Sequence, residues 1–362
     1  MEKVSWWRTS FGEDEILQIA KSISAEHISQ GLVTAEFERL IGELLHVPYV
    51  VATTSGTMAL LMALMAAGVG HGDEVIVPSR TWIATAHAPL LLGAKVILVD
   101  VMQDRPLMDV GQIEKKISGK TKAIIPVHLN GRAVDMDEVN RIAKAYDLIV
   151  IEDAAQAFCS RHGLLGRRSF AGCFSLSVAK LISTGQGGFI VTQDEETYKR
   201  LKLMRTHGVA DLVNVSYTQM GFNFRFNDVL ASIGIVQLGK LTARVKSLND
   251  IYHKYEDVMH ELPFIKFLPV DISAGEIPLY IEVLSPEREK LMRFFTAHDI
   301  QVRPFYPDLD TAEYLANDVE LPNSRIFADQ GIFLPCGPAQ PLENVERVID
   351  VLRLYGKQYH HS

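Results

Sequence analysis

Ile149-Val150-Ile151-Glu152-Asp153-Ala154-Ala155-Gln156 is the stretch from which the architecture of this chain can be worked out. Leu148 and the three branched residues after it form a continuous apolar run. Such a run suits a strand buried on both faces, and here it delivers a carboxylate, Asp153, at its C-terminal edge. Similar short runs precede it at Tyr49–Ala52, Glu74–Val77, Lys95–Val99 and Ala123–Val127, and one follows at Phe189–Thr192. Helical patterns lie between several of them, at Met58–Ala67, Trp82–Leu92 and Met136–Tyr146, the last behind an Asp135-x-x-Glu138 capping signal. The alternation predicts an α/β fold with a mostly parallel central sheet and helices outside it.

Two helices are expected ahead of the first strand. Glu13–Ser24 carries Ile16, Ile19, Ala20 and Ile23 at helical spacing. Thr34 is the expected N-cap of a second helix carrying Phe37, Leu40, Ile41, Leu44 and Leu45. From about Lys240 the rhythm changes to a long charged helix, Leu241–Glu261, and then a Pro-punctuated region. A final helix carries Leu342, Val345, Val348, Ile349 and Leu352. A boundary near 245 is expected, with a large domain over 1–245 and a smaller C-terminal α+β domain over 246–362.

The chain has 362 residues, 48% apolar and 22% charged, an ordinary globular composition with ample material for a core. Its 36 basic and 44 acidic residues leave a formal charge of -8, which argues against a general nucleic-acid-binding surface. Cys159, Cys173 and Cys336 show neither metal-ligand nor CxxC spacing, so no metal and no disulfide framework are expected. Met1–Trp7 lacks the apolar core of a signal peptide. Ala59–Val69, the most apolar stretch, is about half of what a membrane crossing needs. The expectation is a soluble cytoplasmic protein with no membrane partner.

Three segments carry chemistry. Ser55-Gly56-Thr57 follows a strand and opens an apolar helix. It can be an ordinary helix cap, or a phosphate cradle made of free N–H groups at the positive end of a helix dipole. Asp153 can be a strand-end cap or the partner of a cation. Lys180 lies in Phe174-Ser175-Leu176-Ser177-Val178-Ala179-Lys180, ahead of the glycine hairpin signal Thr184-Gly185-Gln186-Gly187-Gly188. Alone it would be a solvated surface lysine. Behind a small apolar strand and before a Gly-rich turn, it can instead be partly desolvated and nucleophilic toward an aldehyde. Trp82 can be a core residue or a plate against a planar ring. A phosphate cradle, a buried acid and an amine, in that order, are what pyridoxal 5'-phosphate asks of a protein.

Together these segments resemble the DegT/DnrJ/EryC1/StrS family of fold-type I pyridoxal-phosphate aminotransferases. The resemblance runs from Ser55-Gly56-Thr57 and Gly72–Pro78 through Pro126–Gly131, Glu152–Ala157, Ser175–Lys180 and Thr184–Gly188. It continues through Arg205–Gly208, Gly221–Arg225 and Gln237–Leu241 to Arg303-Pro304-Phe305-Tyr306-Pro307. It implies that Lys180 bonds the cofactor, that Asp153 pairs with its ring nitrogen and that Gln156 reaches its ring hydroxyl. It further implies that Trp82 stacks on the ring and that Gly56, Thr57 and Ser175 hold the phosphate. Asn223 would reach the phosphate in a neighbouring subunit, giving a homodimer with shared active sites. Arg303 and Tyr306 would contact substrate. The implied reaction moves an amino group, with L-glutamate as donor, to a keto-sugar linked to a nucleotide, as in polysaccharide or secondary-metabolite biosynthesis.

Three departures from the family pattern fall where substrate is expected. Gln186 replaces an acid in the glycine turn, Cys159-Ser160-Arg161-His162-Gly163 replaces a Tyr-containing pattern, and Asp310 stands where histidine is common. Other readings are a keto substrate without a nucleotide, such as a cyclitol, and a non-catalytic, cofactor-binding regulatory relative. A dehydrogenase would want Gly-x-Gly-x-x-Gly after the first strand, and the chain has none there. Lys180 also argues against the family's sugar-dehydratase branch, which carries histidine at this position.

Overall fold

The computed structural model describes residues 2–211, 213–217, 219–315 and 319–360. The continuous apolar runs become strands of one seven-stranded sheet. They are β1 (Tyr49–Thr53), β2 (Glu74–Pro78), β3 (Lys95–Val99), β4 (Thr121–Ile124), β5 (Ile149–Asp153), β6 (Ala171–Ser175) and β7 (Gly188–Thr192). Their spatial order is β1-β7-β6-β5-β4-β2-β3. The neighbours from β3 to β6 pair in parallel, and β7 alone runs antiparallel, between β6 and β1. Helix Gly56–Ala66 is apolar all round, and nearly every side chain from Ala59 to Ala66 is buried. It lies across β6 and β7 and against helix Ala84–Leu91, as an all-apolar helix must.

The glycine signal at 184–188 ends the loop that joins β6 to β7 and runs into the first residue of β7, the two strands pairing antiparallel. Phe174 and Phe189 face each other across this pair, rings stacked 4.6 Å apart. A buried aromatic pair of this kind pins the register, because a one-residue slip would move both rings to the other face. A side chain at Gly188 would come 2.5 Å from the Ser55 carbonyl carbon, so the start of β7 lies directly on the turn that opens helix Gly56–Ala66.

Two local expectations are corrected. Thr34 is not the N-cap of its helix, which is Leu32–Leu45 with Gly31 at the cap. The cap is supplied from across the fold by Asp228, whose carboxylate accepts from the N–H groups of Gly31, Val33 and Thr34 and from the Thr34 hydroxyl. Gly31 is needed because a Cβ there would sit 2.8 Å from that carboxylate. The run Ala123–Val127 is also shifted: β4 covers Thr121–Ile124, and Pro126, which has no N–H to donate, closes the regular ladder.

A second sheet is wholly antiparallel, ordered β10-β11-β9-β8 from β8 (Lys266–Phe267), β9 (Ile281–Leu284), β10 (Arg303–Pro304) and β11 (Gly331–Leu334). Helix Leu241–Met259 spans position 245 and packs against the last helix, Leu342–Tyr359. Residues 4–8 lie along this second sheet, with bridges Val4–Ile300 and Trp7–Cys336. No helix among the described residues is long and apolar enough to cross a membrane.

Candidate active site

The ends of β5 and β6, the turn after β1 and the first turn of helix Gly56–Ala66 converge on a cavity of about 670 Å³. Gly56, Thr57, Trp82, Asp153, Gln156, Ser175, Lys180, Arg303 and Tyr306 all line it. Asn223 does not: it is exposed beyond the cavity, bridged to Thr206, with its Oδ1 accepting from Arg225 Nε at 3.0 Å.

Two adjacent acids at the end of β5 have opposite fates, because neighbouring strand residues face opposite sides of a sheet. Glu152 is fully buried. Its oxygens accept from His128 Nε2, Gly166 N, Arg168 N and Ser169 Oγ, all at 2.7–2.9 Å, which saturates them. His128 is held in one tautomer, since its Nδ1 accepts from Val134 N and only Nε2 is left to donate. Asp153 receives just two donors, Thr85 Oγ1 at 2.8 Å and its local Ala155 N at 3.1 Å. It keeps acceptor capacity toward the cavity. Burial pushes its pKa up, against the pull of those two hydrogen bonds and of the Lys180 charge.

Lys180 sits in the loop between β6 and β7 and lines the same cavity. Desolvation draws its pKa down to about 8, with Asp153 opposing the shift. The amine is therefore largely available as a neutral nucleophile at mildly alkaline pH, which a solvated lysine is not.

Ser55 caps helix Gly56–Ala66 by accepting from Met58 N at 3.2 Å. The Gly56 and Thr57 N–H groups precede the first intrahelical bonds and remain unclaimed at the positive end of the helix. Ser175 and Ser177 stand beside this turn with their hydroxyls 3.3 Å apart. Gln156 accepts from Asn130 N at 2.9 Å through Oε1, so the amide nitrogen is the end left for the cavity. Trp82 is 54% exposed, so the core alternative for it is overturned. Its indole meets the Tyr306 ring edge-on at 5.0 Å.

Sequence reasoning missed several lining residues. Thr85 and Ser177 were within reach, being one helical turn past Trp82 and two residues past Ser175. Trp6, Trp7 and Tyr280 carried no local signal, because only tertiary structure brings them to the mouth. Of the three departures, Gln186 lines the cavity. The other two do not line it. The segment 159–163 packs on residues 275–277 through Arg161–Glu276 and Ser160–Ile277 bonds. Asp310 is paired with Arg325.

The profile of the DegT/DnrJ/EryC1/StrS aminotransferase family matches residues 9–353. The chain belongs to that family. Among its relatives, the GDP-perosamine synthase of Escherichia coli O157:H7 is 34% identical over 334 residues, covering 88% of each chain. That of Caulobacter vibrioides is 32% identical over 335 residues, covering 90% of each. Among solved structures, DesV of S. venezuelae superposes with a TM-score of 0.92 at 28% identity, over 98% of this chain and 99% of its own.

Enzymes of this family work through pyridoxal phosphate, and the cavity fits that group. A side chain added at Gly56 would come 3.0 Å from Ser175 Cβ, so the glycine keeps open the cleft beside the free N–H groups. A helix N-terminus flanked by hydroxyls, a carboxylate with spare acceptor capacity and a desolvated amine supply donors for a phosphate, a ring nitrogen and an aldehyde.

Proposed function

We propose that this aminotransferase acts on a keto-sugar carried by a nucleotide, takes its amino group from L-glutamate, and works in the cytoplasm as a homodimer with shared active sites. The observation that carries the reading is the convergence of Lys180, Asp153 and the Ser55–Thr57 helix start on one cavity whose rim holds the exposed guanidinium of Arg303. Similarity to two GDP-perosamine synthases, at 34% and 32% identity, supports a nucleotide-linked sugar as the acceptor. The three free cysteines suit a reducing compartment.

Bound pyridoxal phosphate supplies an electron sink for negative charge at the carbon that carries the amine. The protein's own groups do the rest. Gly56 N, Thr57 and the hydroxyls of Ser175 and Ser177 would hold the phosphate. Asp153, fixed by Thr85, keeps a proton on the ring nitrogen. Gln156, with its Oε1 already engaged, would have its amide nitrogen free for the cofactor's hydroxyl, and Trp82 would be the residue to pack against the ring. Lys180, whose amine is desolvated, would be the residue to hold the cofactor covalently and, when free, to act as the proton carrier. Arg303 and Tyr306 orient the substrate at the rim.

The homodimer reading is supported by Asn223 standing outside its own cavity. The segment leading to it exposes Val213, Val215, Tyr217 and Met220, apolar side chains that suit burial against a second copy. The substrate reading is tested by loading the protein with pyridoxamine phosphate and adding a panel of nucleotide-linked keto-sugars and keto-cyclitols. Return of the lysine-bound cofactor's absorbance with a nucleotide-linked sugar is the expected result. Return with cyclitols alone would overturn the substrate reading. Mixing Lys180→Ala and Asn223→Ala protomers tests sharing: activity should exceed that of either parent, because each mixed dimer carries one intact site.

A further inference from the structure

Two groups that face the cavity from different elements, the Lys180 loop and Gln156, are joined by a hydrogen-bonded chain through Tyr280 and Asn130. Tyr280, the residue before β9, donates its hydroxyl to the Ala179 carbonyl at 2.9 Å, one peptide ahead of Lys180. Its backbone N–H donates to Asn130 Oδ1 at 2.6 Å, and its carbonyl accepts from Asn130 Nδ2 at 3.0 Å. Asn130 N then donates to Gln156 Oε1 at 2.9 Å. Trp7 adds a second tie to the loop, its Nε1 donating to the Val178 carbonyl at 3.2 Å, and its ring meets Tyr280 edge-on at 5.6 Å.

The chain's construction marks it as specific. Asn130 is fully buried and sits in the left-handed region at φ 55, a conformation that asparagine tolerates better than other residues with a side chain. Both ends of its amide and its own N–H are used. Tyr280 is 3% exposed, and burial keeps its phenol protonated, so it remains a donor to a carbonyl that can only accept. Gln156 cannot turn its amide over without stranding the Asn130 N–H, a buried donor.

We propose that Tyr280 and Asn130 are positioning residues, which lock the Lys180 loop and the Gln156 amide to one another so that both meet the cofactor in a fixed relative orientation. The proposal rests on the pyridoxal-phosphate reading above. It also gives the segment leading into β9 a part in the cofactor site, where the C-terminal region otherwise contributes Arg303 and Tyr306 on the substrate side.

Tyr280→Phe removes the hydroxyl and keeps the ring packed against Trp6, Trp7 and Phe333. Asn130→Gly keeps the left-handed backbone and cuts both bonds to Tyr280. The test measures visible circular dichroism of the bound cofactor at matched occupancy, with kcat, KM and Tm alongside. Circular dichroism reports how rigidly the cofactor is oriented, which a purely structural residue does not alter once the protein is folded. Each variant should lose half or more of the dichroism and roughly tenfold in kcat, with KM within about twofold of the parent. Dichroism and kcat unchanged per folded molecule in either variant would overturn the proposal, even with a lower Tm. A parent protein with no lysine-bound cofactor band would instead overturn the cofactor reading itself.

Discussion

The floor and the rim of the cavity are built differently. On the floor, Asp153 ends β5, Ser175 ends β6, Lys180 follows on the β6–β7 loop, and Gly56 opens a helix laid across the same sheet. Asp153, Ser175 and Gly56 are held by backbone that the seven-stranded sheet fixes, and the Lys180 loop is tied in addition by Tyr280 and Trp7. The rim comes from residues 6–7, the edge strand β10 and the turn at Trp82. Its groups are mostly in partial or full contact with solvent: Arg303 is exposed, with its guanidinium 4.5 Å over the Trp6 ring. A floor made of strand ends can hold reacting atoms in place. Among the described residues of the rim, Trp82, Arg303 and Tyr306 make no hydrogen bond to the Lys180 loop, so their chemistry can change while the strand ends stay in place. Reaction type should therefore reside in the floor and substrate choice in the rim.

Substitutions on the two sides should separate cleanly. Lys180→Ala should abolish covalent cofactor binding and lower turnover by roughly 10⁴-fold, since it removes both nucleophile and proton carrier. Absorbance and steady-state assays check this. Asp153→Asn keeps the shape and the Thr85 hydrogen-bonding position but cannot hold a proton on the ring nitrogen. Turnover should fall by about 10²–10³-fold with cofactor retained. Near-parental turnover would return Asp153 to the role of a strand-end cap. Arg303→Ala, at the rim, should raise KM for the sugar substrate by about tenfold and leave kcat within about threefold, as loss of a binding contact does. A large loss of kcat there would blur the contrast between floor and rim.

The smallest effect is on pH. Cofactor capture by the cofactor-free protein needs the neutral amine. A lysine pKa lowered to about 8 means that the neutral form prevails above that pH. The capture rate should rise with a midpoint near pH 8, not near 10.5. A stopped-flow pH series measures it, and a midpoint at the ordinary lysine value would show Lys180 to be solvated.

Much of the floor was legible in the chain because its signals are local. Continuous apolar runs mark strands buried on both faces, and Ser55-Gly56-Thr57, Asp153 and the glycine turn each sit at a strand end. The different surroundings of Glu152 and Asp153 show the limit. The two differ in how many donors reach them, which depends on His128, Gly166, Arg168 and Ser169 arriving from elsewhere. The rim was less legible for the same reason. β8 and β10 have two residues each, too few for any periodicity, and Trp6 and Trp7 are placed by contacts far along the chain, with Gln301, Cys336 and Val178. The Asp228 cap on helix Leu32–Leu45 joins groups 194 residues apart and could not be found by a capping rule that looks three residues ahead.

The most direct test of the floor's chemistry is to treat the protein, loaded with pyridoxal phosphate, with borohydride and map the labelled peptide by mass spectrometry. The pyridoxyl group should be found on Lys180, at close to one per chain. A label on any other lysine, or none on a protein that retains its yellow colour, would contradict the assignment of Lys180 as the cofactor-bearing residue.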